Sequence, residues 1–103
     1  MENKLKKIES YLLKKGLKPH YKGFNYIVEA INFIMTDKTL LKNITKRLYN
    51  MIAYIYDDNQ RGVENAIHNC IKSSNYKISN KQFIARTVIE FESDNINKIK
   101  EEL

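Results

Sequence analysis

The 103-residue chain contains a single cysteine, Cys70, so no disulfide can form within it. A reducing, cytoplasmic setting is the simplest expectation. Tryptophan is missing, and one proline and three glycines leave few enforced turns and no glycine-rich loop to cradle a phosphate. Two histidines and one thiol fall short of a zinc set. No apolar run comes near the ~18 residues that a membrane span needs. The N-terminal MENKLKK starts like a signal peptide, but ESYLLKKG follows where an apolar stretch belongs, so none is expected. The carboxylates are scattered or paired on faces that helical spacing puts in solvent. No catalytic constellation, metal site, cofactor site or small-molecule substrate site emerges, and the chain is not expected to be an enzyme.

What is present is positive charge and helical rhythm. Eighteen Lys and Arg against 12 Asp and Glu give a net charge of +6. That balance suits a polyanionic partner such as double-stranded DNA, although the same excess also serves solubility. With 43% hydrophobic residues, one small core is expected in a single domain over 1–103. Its core covers about 3–92, and a charged tail follows over 93–103.

Apolar residues recur at three- and four-residue steps, and no strand-like alternation persists. The spacing predicts about six helices in a compact all-α bundle. The first covers about 3–15, with Leu5, Ile8, Leu12 and Leu13 on one face, and stops at Gly16 with Pro19 beyond. The second covers about 24–35, with Phe24, Ile27, Ile31 and Ile34 in register. Thr36 or Asp37 caps a short third helix through about Asn43. A fourth runs from Ile44 or Thr45 to Tyr56, carrying Leu48, Ile52 and Ile55. Asp58 or Asn59 caps a fifth that ends near Ser73. Ser79 and Gln82 form a capping box that opens a sixth, reaching about Glu92. The residues after it are expected to fray or to add a turn.

The fourth and fifth helices flank the polar cluster DDNQRG. A 20-residue window from Tyr49 to His68 has the spacing of a helix-turn-helix, with Ala53 as the small residue where the two helices cross. Asp57 stands where a turn glycine is commonest and Asp58 where an apolar residue is usual. If Val63, Ala66, Ile67, Cys70 and Ile71 point inward, the 3.6-residue period turns Gln60, Arg61, Glu64, Asn65, His68 and Lys72 outward. Arg pairs well with guanine, Asn or Gln with adenine, and Glu accepts from cytosine. A solvated helix face has the same composition.

Three blocks of the sequence resemble the C-terminal DNA-binding domain of stage 0 sporulation protein A. They are HYKGFNYIVEAI, LLKNITKRLYNMIAYIYDDNQRGVENAI and SNKQFIA, and the likeness covers about residues 8–92. The resemblance implies a six-helix fold with a helix-turn-helix. It also implies binding to short DNA boxes, often in tandem, and activation or repression of transcription. Glu64 matches a Glu of the family's recognition helix. Asn65 and His68 stand where the family has DNA-contacting arginines, and Gly62 replaces a further arginine, with Arg61 beside it. The chain therefore resembles a stand-alone effector domain with an altered reading surface and no receiver domain. Its loop before the last helix is shorter than the family's.

The expected function is sequence-specific DNA binding in transcription regulation, with a homodimer on tandem sites. Gln60, Arg61, Glu64, Asn65 and His68 are the candidate base readers. Lys22, Lys46, Arg47, Lys72 and Lys81 are the candidate phosphate contacts. Lys22 with Gly23 would bring an ammonium and a helix N-terminus to a phosphate, or simply start a helix with a solvated lysine. His20 is expected to make a local hydrogen bond in its turn rather than a phosphate contact, and Cys70 to be a small core residue. Most of the seven tyrosines should straddle core and surface. The alternative reading keeps the fold but makes the chain a protein-interaction module that binds and modulates a full-length regulator.

Overall fold

The apolar steps of the sequence become the inner faces of helices in a computed structural model, which describes residues 3–102 apart from the side chains of 98, 99 and 102. Ile8 and Leu12 are buried on α1 (Lys4–Lys14), whose first turn is capped by the Asn3 side chain accepting from the Leu5 amide at 2.8 Å. Helix α2 (Lys22–Thr36) is the hub: Phe24, Ile27, Ile31 and Ile34 are all buried on it. It packs against α1, α3 (Tyr49–Tyr56), α4 (Gln60–Ser73) and α5 (Asn80–Glu102). No strand occurs among the described residues.

Among the described residues five α-helices form, not six. The expected third helix is a 3₁₀ segment, Lys38–Lys42, opened by the Asp37 carboxylate accepting from the Thr39 amide at 3.0 Å. The expected fourth helix opens as a π turn, Ile44–Leu48, and becomes α-helical only at Tyr49. Asn43, at φ −148° and ψ 61°, breaks the helix between them. Leu40, Ile44 and Leu48, four apart, are nonetheless all buried. Burial therefore holds the apolar side chains in place while the backbone between them changes its winding.

Two further expectations are corrected. Leu13 and Ile55 are 48% and 49% exposed, because each lies at the rim of its helix's apolar stripe. Ala66, though only half-buried, packs against the core as an inward-pointing residue should. Helix α5 continues to Glu102 instead of ending near Glu92. No glycine or proline follows Phe91 to stop it, and extending an existing helix needs no new nucleus.

The capping box is present at the start of α5. The Ser79 hydroxyl accepts from the Gln82 amide and the Gln82 side chain accepts from the Ser79 amide, both at 3.1 Å. Farther along α5, Glu90 pairs with the Lys15 ammonium, which lies 5.3 Å from the Phe83 ring centroid. Tyr76 donates its hydroxyl to the Lys15 carbonyl at 2.7 Å, which ties the end of α1 to the loop before α5.

Candidate nucleic-acid interface

Helices α3 and α4 are joined by three residues, Asp57 to Asn59. Asp57 adopts the left-handed conformation, φ 53° and ψ 50°, and the Asp58 amide closes the turn on the Ala53 carbonyl at 2.9 Å. An aspartate tolerates that conformation better than most residues. Asn59 then caps α4, its side chain accepting from the Gly62 amide at 2.8 Å. Ala53 is buried on α3. The pair is thus held from within, and α4 presents its other side to solvent.

On α4, Val63, Ile67, Cys70 and Ile71 are buried. Arg61, Glu64, Asn65, His68 and Lys72 are exposed, and Gln60 is half-buried. His68 and Cys70 therefore face opposite ways, and burial raises the Cys70 thiol pKa, so the thiol stays protonated and unreactive. The ion pairs among the described residues join Lys15 to Glu90, Lys22 to Asp58, Lys38 to Glu92 and Arg47 to Asp37, and none involves a residue of α4. The exposed face of α4 is polar and, among the described residues, unengaged by internal salt bridges.

A groove runs along one flank of α4. Gln60, Glu64, Asn65 and His68 line it from α4, Lys42 and Lys46 from the 3₁₀ and π segments, and Lys81 from α5. The floor contains Tyr49, which is buried, and Asn80. Asn80 donates to the Tyr49 hydroxyl at 3.2 Å and to the Glu64 carbonyl at 3.1 Å, so one amide fixes the spacing of α3, α4 and α5. Thr45 and Lys46, both on the π turn, also line the groove. Lys72 lies farther along α4, beside His68 in a second, smaller hollow with Lys77.

The lysines and arginine picked from the sequence thus divide. Lys46 and Lys81 meet in the groove with four candidate base readers, and Lys72 extends their line. Arg61 is exposed but outside the groove. Arg47 turns away, 3.6 Å from Asp37 and 3.3 Å from the Thr39 hydroxyl. Lys22 lies 3.1 Å from Asp58 Oδ2. The same carboxylate oxygen accepts from the Tyr26 hydroxyl at 2.7 Å, and Oδ1 accepts from the Asn59 amide at 2.7 Å. The Tyr26 hydroxyl, the Asn59 amide and the Lys22 ammonium together hold the Asp58 carboxyl down at about 2. His20 is exposed against the Tyr21 ring, 4.8 Å between centroids.

Lys42 and Asn80 are groove residues that the sequence does not point to. Lys42 and Lys46 are four apart, a helical spacing, but the sequence reading puts a helix boundary near Asn43 between them. Asn80 sits next to the Ser79 cap and carries no signal of its own.

With this geometry in view, one comparison is decisive. The family described as sporulation initiation factor Spo0A C terminal matches residues 8–101, nearly the whole chain. The chain belongs to this family. Membership places it among DNA-binding, transcription-regulating domains of sporulation, a family of binding domains and not of enzymes. The all-α architecture found here accords with that membership. No described helix is long and apolar enough to cross a membrane.

Proposed function

We propose that the chain is a sequence-specific DNA-binding regulator in which α3 and α4 act as a helix-turn-helix and α4 enters the major groove. The observation that carries this is the exposed polar face of α4, outside the ion pairs of the described residues and flanked by a lysine-rimmed groove. Gln60, Arg61, Glu64, Asn65 and His68 read bases. Lys46, Lys72 and Lys81 hold phosphates, joined by Lys42. Lys22 and Arg47 already have carboxylate partners and stand outside this set. Each copy covers one half-site, so two copies occupy tandem boxes and act on a nearby control element.

Asn65 is the sharpest test. Its amide is suited to a bidentate contact with adenine, worth about 1–3 kcal/mol of discrimination. On a duplex that the protein selects from a random pool, Asn65→Ala is expected to lose that amount, and on random duplex almost nothing. An unchanged ratio of selected to random affinity means α4 is not the reader.

A second reading has one observation in its favour. Tyr54 is 90% exposed, and with Phe33, Met51 and Ile55 it forms an apolar hollow on the outer side of α3. Such a patch suits a protein partner, as in a module that binds and modulates a full-length regulator. Unaltered selected-to-random ratios together with capture of that regulator would favour it.

A further inference from the structure

Helix α4 has two flanks, and they differ in charge. On one side Lys42, Lys46 and Lys81 line the groove, and none of them belongs to the ion pairs of the described residues. On the other side the first turn of α2 comes so close that Gly23 abuts the Ala66 carbonyl. Lys22, on that turn, is the cation placed to meet a phosphate there. Its side chain is 66% exposed, yet its ammonium is held by Asp58, whose side chain is only 11% exposed.

We propose that Asp58 sets the DNA affinity of this face by withholding Lys22 from phosphate, so that one flank of α4 is neutralised from within and the other carries the backbone contacts. The inference rests on the reading of α4 as the DNA-facing helix. Three features support it. Asp58 is fixed independently of Lys22, by the Tyr26 hydroxyl and the Asn59 amide, both at 2.7 Å. It is therefore a preorganised competitor that a phosphate must displace. Its own negative charge also repels a phosphate approaching the turn. Finally, the chain makes room for it. A Cβ on Gly62 would overlap the Asp58 carboxylate. The backbone at Gly62 is ordinary helix, so glycine, the poorest helix former after proline, is needed there for space and not for conformation.

The test is a double-mutant cycle on Asp58→Asn and Lys22→Ala, read as affinity for a random duplex across a salt series, with circular dichroism confirming the fold. The Asp58→Asn side chain would keep an acceptor for the Asn59 amide and lose the charge. Freeing one lysine for phosphate steepens the log–log salt slope by about 0.9, which is about eightfold tighter binding at about 0.1 M salt than at about 1 M. Asp58→Asn is expected to show that gain, and Lys22→Ala to abolish it in the Asp58→Asn background. In the wild type, Lys22→Ala should change affinity less than about twofold. If Asp58→Asn does not fold, this last comparison decides alone: an eightfold loss on Lys22→Ala in the wild type overturns the proposal. So does an unchanged slope in folded Asp58→Asn. Lys46→Ala and Lys81→Ala separate this from the underlying reading. If they flatten the slope while the cycle is null, only the role of Asp58 fails; if the wild type does not bind duplex at all, the DNA reading fails with it.

Discussion

Gly23→Ala is expected to lower the melting temperature by roughly 12–24 °C. Gly23 is buried in the first turn of α2. A Cβ there would overlap the Ala66 carbonyl oxygen and carbon and crowd the Ile67 amide nitrogen. All three are backbone atoms of α4, so no side-chain rotation relieves the clash, and the two helices must move apart. Both carry much of the core: Phe24, Ile27, Ile31 and Ile34 on one, Val63, Ile67, Cys70 and Ile71 on the other. Overpacking of this kind costs about 3 kcal/mol, and a domain of this size loses about 4–8 °C per kcal/mol. Thermal unfolding followed by circular dichroism measures it. A fall of less than about 4 °C would show that α2 and α4 do not approach as described.

That close approach is not legible in the sequence, where Gly23 reads as one option for a helix start. The reason is general to this molecule. Features with a local cause are readable: the Ser79–Gln82 capping box, the Asn59 cap, and the buried register of Phe24, Ile27, Ile31 and Ile34 all follow from neighbours within one or two turns. The outward set on α4 follows from the same period and the buried positions between. Features set by distant partners are hidden. Asp58 is held by Tyr26 and Lys22, more than 30 positions earlier in the chain. Arg47 reads as an unpaired cation because its partner, Asp37, reads only as a helix cap. The boundary near Asn43 is readable, but the 3₁₀ and π windings on either side of it are not, because Leu40, Ile44 and Leu48 keep a helical spacing throughout.

The second large effect concerns that split region. Replacing Lys42, Lys46 and Lys81 together by alanine is expected to weaken binding to random duplex about 500-fold at about 0.1 M salt and to reduce the log–log salt slope by about 2.7 units. Each ammonium that replaces a condensed counterion contributes about 0.9 to the slope. All three are exposed on one groove, from three elements, two before α4 in sequence and one after it. Their side chains are in solvent, so the fold should be unaffected. Substituting Arg47 and Lys38 instead, each already paired with a carboxylate, should change the slope by well under one unit. Equal losses from both sets would mean that net charge, not this groove, attracts the nucleic acid.

The most direct measurement of the central claim is the affinity of the unaltered chain for duplex DNA over a range of salt concentrations. Four lysines, Lys72 on α4 and Lys42, Lys46 and Lys81 beside it, stand outside the ion pairs of the described residues. They predict tight binding at low salt and a log–log slope of about −3.6. A flat response to salt, or no binding to any duplex at the lowest salt, would contradict the assignment of α4 and its groove as a DNA-binding surface.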